Sequence, residues 1–152
     1  MPTQEEDPTR VVTSHDLEWI PFPAVPGAHF MVLVADEELR QVVFKFKFDP
    51  GTDLPSHTHS CHAIAYTISG EWAYEGLELP TGAVAYEPVG STHTPTSESG
   101  AELVVVLNSE TDEFLVNHMA DGSDLILDMA FFKALEGASP AEAEAALGEL
   151  AG

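Results

Sequence analysis

From Val11 to Met119 the apolar positions come in short runs broken by turn chemistry. Gln41 to Phe48 alternates cleanly: Val42, Phe44, Phe46 and Phe48 share one parity, and Val43, Lys45 and Lys47 take the other. A period of two is that of a half-buried strand, whereas a helix would scatter those phenylalanines around its axis. Further strand-like runs are His29–Ala35, Ala63–Ile68, Trp72–Tyr74, Ala83–Tyr86, Leu103–Leu107 and Phe114–Met119. Asp49-Pro50-Gly51, Ser69-Gly70, Pro80-Thr81-Gly82, Ser99-Gly100 and Asp121-Gly122 punctuate them as turns. Many short strands at this spacing predict an all-β sandwich or barrel of antiparallel strands. No repeat unit of solenoid or propeller type is visible.

After Met119 the texture changes. Asp124–Leu135 reads either as a last strand or as a strand running into a helix. Ser139-Pro140-Ala141-Glu142 has the pattern of a helix start, with Ser139 as cap, Pro140 in the first turn and Glu142 completing a capping box. The organisation expected is a flexible acidic tail over residues 1–10, one domain over 11–136 and a C-terminal helix over 137–152.

Composition supports a real core: 44% of the 152 residues are hydrophobic and 9% aromatic. Twenty-six Asp and Glu against five Lys and Arg leave a net charge of −21. Such a surface repels phosphate backbones and anionic headgroups, so neither a nucleic acid nor a membrane is an expected partner. No apolar run approaches the roughly 18 residues of a spanning helix, and the polar N-terminus lacks a signal-peptide pattern. Cys61 is the single cysteine. It can form no internal disulfide, which fits a cytoplasmic location.

Candidate chemistry lies in the histidines. His57, His59 and His62 fall within six positions. On a strand His57 and His59 point to the same face, so both imidazoles can reach one ion, while His62 has the opposite parity and would need a bulge to join them. Gly51, five residues and His57-x-His59, then Gly70, form one pattern. Gly82, five residues, Pro88-x-Gly90, two residues and His93 form a second. Together they resemble the two signature motifs of the cupin superfamily. That resemblance implies a double-stranded β-helix, or jelly-roll barrel, here with a short C-terminal helical segment. It also implies a divalent metal held by His57, His59 and His93, with His62 as a possible further ligand. The usual first motif carries a glutamate ligand where this chain has Ala63 or Ile64, neither of which can bind metal.

The segments His62–Trp72 and Tyr86–Thr94 are similar to three-histidine cupins of the 2,4'-dihydroxyacetophenone dioxygenase and acetylacetone-cleaving dioxygenase type. The implied activity is cleavage of a C–C bond next to a carbonyl, in a hydroxyketone or β-diketone, by non-haem Fe(II) and O2. Those dioxygenases carry a carboxylate where this chain has Glu87, which makes Glu87 the expected catalytic group. Its roles would be to orient a ligand or water, or to act as a base toward the substrate's enol. Zn(II), Mn(II) or Ni(II) would instead accompany a non-redox isomerase or hydrolase, and a ligand-binding or sensor module without catalysis is the remaining alternative. Tyr66, Trp72, Phe44, Phe46 and His118 are the candidate substrate-pocket residues, with barrel core as the other reading of the aromatics. A homodimer or homotetramer is expected, with Val11–Phe22 and the C-terminal helix as contact segments.

Overall fold

A computed structural model describes residues 7–151, so most of the acidic tail read at 1–10 lies outside the described residues. The elements in chain order are a 3-10 turn at Ser14–Asp16, then β1 (Ile20–Pro21), β2 (Ala28–Asp36), β3 (Gln41–Phe48), β4 (Thr52–Asp53), β5 (Ser56–His59) and β6 (His62–Tyr74). There follow β7 (Leu77–Pro80), β8 (Val84–Glu87), β9 (Thr92–His93), β10 (Thr96–Ser97), β11 (Ala101–Asn108), β12 (Glu113–His118) and β13 (Asp124–Asp128). Two helices close the chain, α1 (Met129–Leu135) and α2 (Pro140–Ala151). All strand pairings among the described residues are antiparallel, in one sheet of nine strands and a second of four ordered β13-β12-β5-β9. This is the expected all-β jelly-roll with helices at its C-terminal end.

The alternation in β3 sets the core. Its even positions are buried and its odd positions are not. Phe44, Phe46 and Phe48 meet Phe30 of β2 and Trp72 of β6 in a chain of ring contacts between 5.0 and 5.9 Å. The segment Asp124–Leu135 resolves into a strand followed by a helix. Asp128 caps α1 by accepting a 2.9 Å hydrogen bond from the Phe131 amide. Helix α1 then lays Phe131 and Phe132 against Phe30, Phe44 and Phe114. The capping box of α2 forms reciprocally, the Ser139 amide donating to Glu142 at 2.9 Å and the Glu142 amide to the Ser139 hydroxyl at 3.2 Å.

One irregularity positions the site. The pairing of β6 with β11 slips at Glu102/Leu103, opposite Thr67–Ser69. Before the slip the odd residues of β6 face inward; after it the even residues Trp72 and Tyr74 do. Gly70, at φ 76°, completes the bend: a Cβ there would lie 2.1 Å from the Gly100 carbonyl oxygen.

Candidate metal centre

Strand β5 presents His57 and His59 to the interior, two residues apart on one face. His93 of β9 lies directly opposite His57 in the β5–β9 pairing. The turn joining β8 to β9 fixes that placement. Gly90, at φ 92°, allows the Ser91 amide to close back on the Pro88 carbonyl at 3.1 Å. The Ser91 carbonyl in turn accepts from the His59 amide at 2.9 Å, and the His59 carbonyl accepts from Gly90 at 2.8 Å. The second-motif glycine thus ties His59, Glu87 and His93 into one frame.

The donor atoms converge. His57 Nε2 and His59 Nε2 are 3.1 Å apart. Glu87 Oε2 lies 3.2 Å from His93 Nε2 and 4.0 Å from His59 Nε2. His59, Glu87 and His93 each offer one ligand atom, all within 4.8 Å of one another. Two nitrogens bound to one ion at about 2.1 Å and at right angles would be about 3 Å apart, so the His57–His59 spacing suits a shared cation. Without a proton or cation between them, two imidazole lone pairs at that distance repel. His93 Nε2 is buried and makes no hydrogen bond within the protein among the described residues, an unsatisfied acceptor of the kind that a metal ion fulfils.

Electrostatics keep the donors in the ligating state. Burial, helped by the neighbouring rings, pushes the His57 imidazolium down to about 4 and that of His59 to about 3; burial also lowers His93. All three are therefore neutral at pH 7. Burial raises Glu87 to about 6, opposed by a hydrogen bond from the Tyr74 hydroxyl. Tyr74 also stacks on His93, ring centroids 4.0 Å apart. Glu75 Oε2 faces His93 Nδ1 at 3.9 Å. Such partners orient imidazoles toward an ion. Burial and the Glu87 charge push the thiol of the fully buried Cys61 up to about 12.

Beside this centre is a cavity of about 80 Å³, lined by His57, His59, Glu87, Phe44, Phe46, Trp72 and Asn117 among others. Three of the residues read from the sequence as pocket or ligand candidates lie elsewhere. His62 is exposed on the outward parity of β6 and does not join the cluster. Tyr66 shares that outward face; the slip in β6 separates it from Trp72, although both numbers are even. His118 faces outward from β12, bonded to Thr58 at 2.8 Å and Asp124 at 3.0 Å. Glu87 Oε2 sits among the potential ligand atoms with His59 and His93, while His57 lies outside that mutually close group, its Nε2 3.1 Å from His59 Nε2. Asn117 was not read from the sequence at all. Its signal is a polar residue sharing strand parity with Leu115, which also lines the cavity.

Residues 7–111 match the family described as the ChrR cupin-like domain. Among solved structures, a protein of unknown function with a cupin-like fold from Ralstonia eutropha is 26% identical, with a TM-score of 0.71 over 99% of this chain and 91% of that one. An acetylacetone dioxygenase from Acinetobacter johnsonii is 14% identical, with a TM-score of 0.68 over 98% and 96%. A chain of the Rhodobacter sphaeroides complex of SigE with the anti-sigma ChrR is 17% identical, with a TM-score of 0.54 over 61% of this chain and 50% of that one. No curated protein matches the sequence. Among the described residues no helix is long and apolar enough to cross a membrane.

Proposed function

The chain belongs to the ChrR cupin-like domain family, and from that premise we propose that it is a metal-dependent dioxygenase that cleaves a C–C bond beside a carbonyl in a small ketone. The carrying observation is the convergence of His59, His93 and Glu87 within 4.8 Å of one another, with His57 Nε2 3.1 Å from His59 Nε2, beside an apolar cavity. Bound Fe(II) would supply O2 activation and a seat for the substrate's oxygens. The remaining work falls to side chains. Three neutral imidazoles leave the ion's charge intact, and Glu87 offsets one unit of it, so an enolate formed by loss of a C–H proton is attracted to the residual charge. Tyr74 holds Glu87 in place through its hydroxyl. Phe44, Phe46, Leu103 and Leu115 exclude water from the reacting carbonyl.

The test is metal analysis of protein purified without added metal or chelator, followed by oxygen uptake with 3-hydroxybutan-2-one and pentane-2,4-dione. Bound iron, with one O2 consumed per ketone lost, supports the proposal.

A second reading follows from the family description and from the resemblance to a chain of the SigE–ChrR complex. On that reading the same centre binds metal or a small ligand as a sensor. Stable metal binding without oxygen uptake for any ketone tried would favour it over the dioxygenase.

A further inference from the structure

Asn117 is a buried amide, 7% exposed, in an otherwise apolar wall. On β12 it lies directly across from His57 on β5, which puts their Cβ atoms roughly 5 Å apart. Apart from His57, His59 and Glu87, the cavity lining is aliphatic or aromatic, and the indole N–H of Trp72 is already committed to the Thr67 hydroxyl at 2.8 Å. Among the described residues, Asn117 is therefore the one amide or hydroxyl side chain that lines the cavity beside the candidate metal donors.

Its orientation is fixed. Nδ2 donates to the Leu125 carbonyl at 3.1 Å. Only the nitrogen of the amide can make that bond, so Oδ1 is assigned without ambiguity. Oδ1 has no hydrogen-bond donor among the described residues. Oδ1 is thus free to accept from a donor group placed in the cavity that Asn117 lines.

We infer that Asn117 is a specificity-determining residue: its Oδ1 accepts a hydrogen bond from a hydroxyl group of the ligand held beside His57. The inference rests on the proposal that the cavity takes a small carbonyl compound, and it names which kind. A hydroxyketone brings the donor that Oδ1 requires, whereas a dione of the same carbon skeleton offers acceptors only and sets oxygen against oxygen. A site built to bond a hydroxyl discriminates against the analogue that lacks it far more strongly than an apolar pocket does.

The test uses Zn(II)-loaded protein, in which binding is read without turnover. Affinities for 3-hydroxybutan-2-one and butane-2,3-dione are measured by calorimetry in the wild type and in Asn117→Leu. The two ligands also differ in how they chelate metal, so the diagnostic quantity is the change in their affinity ratio. The ratio should fall about tenfold in the variant, mainly through weaker hydroxyketone binding. In the wild type, the side-chain amide resonance of Asn117 should shift with the hydroxyketone and not with the dione. That readout stands even where Asn117→Leu fails to fold. An unchanged ratio in a folded variant, or no selective amide shift, overturns the inference. If neither ligand binds, the small-carbonyl proposal falls and takes this inference with it. If both bind with the same response at Asn117, only the inference falls.

Discussion

Glu87 stands directly across the β6–β8 ladder from Ala63, an inward residue with no exposed surface. Ala63 and Ile64 are the positions where the first cupin motif usually places its glutamate, and Ile64 faces outward. In the proposed site, the carboxylate missing from β6 comes from the neighbouring strand. Glu87→Ala is expected to weaken metal binding by roughly 100-fold, in the range seen when a site loses a supporting carboxylate. Adding Ala63→Glu to that variant restores a carboxylate from the opposite side of the same pair and should recover most of the loss. Titration of the metal-free proteins with Zn(II) measures both steps. A Glu87→Ala protein with wild-type affinity would remove Glu87 from the donor set.

The metal-free protein should lose stability on acidification from pH 7 to 4. His57 and His59 titrate at about 4 and 3 when folded, below the 6.5 of an unfolded histidine. The unfolded chain therefore binds more protons in this range, and stability is full above about 6.5 and lost as the pH falls toward the folded values. Glu87 has the opposite sign, because its folded value of about 6 exceeds the unfolded 4.5. It favours the folded state at low pH and loses that contribution as the pH rises through 6. Two imidazoles pushed down so far outweigh one carboxyl pushed up less. Thermal melts between pH 4 and 7 should show Tm falling with pH, and the slope should flatten in a His57→Ala/His59→Ala double variant.

Tyr74 bears on two members of the centre: its hydroxyl opposes the upward shift of Glu87, and its ring stacks on His93. Tyr74→Phe keeps the ring and removes the hydroxyl. Metal affinity should drop about tenfold through the freed Glu87, with thermal stability of the metal-free protein nearly unchanged. A melt shifted down by many degrees would instead mean that the hydroxyl is chiefly a packing element.

The bend at Gly70 decides which side chains of β6 see the cavity. In Gly70→Ala the new methyl would meet the Gly100 carbonyl at 2.1 Å at a φ that alanine resists. The cost should be at least about 3 kcal/mol. Urea unfolding measures it, and a cost under about 1 kcal/mol would show that the bend relaxes freely.

That bend also marks where the sequence stopped being legible. Period-two alternation in β3 and the spacing of Gly51, His57, His59, Gly82, Pro88, Gly90 and His93 are local signals, and they carry the barrel and its three imidazoles. Parity along β6 is local only up to Ile68. A one-residue slip against β11 then reverses it, so Tyr66 and Trp72, grouped by number, end on opposite sides of the sheet. Glu87 and Asn117 depend on partners far away in the chain, Ala63 and His57 respectively. A strand pattern shows that such a residue faces inward, but only the register shows what it faces.

The outward half of β6 and β8 leads to a last prediction, about assembly. Ile64 pairs with Tyr86 and Tyr66 with Val84, and Val104 and Val106 of β11 continue the two rows. Tyr86 is 69% and Ile64 46% exposed, an apolar face on a chain of net charge −21. Charge favours a second copy as its occupant. Two of the five basic residues, Lys45 and Lys47, stand on this same sheet, and Glu102 is paired with Lys45 at 3.5 Å. Two copies joined here would bring together apolar faces that carry two lysines each, and added salt would screen the remaining repulsion. We expect the wild type to run in light scattering at twice the 16.3 kDa chain mass, more completely at high ionic strength. The double variant Ile64→Glu/Tyr86→Glu should run as a monomer with its metal affinity intact. A monomeric wild type, or a variant that still dimerises, would assign this face no role in self-association.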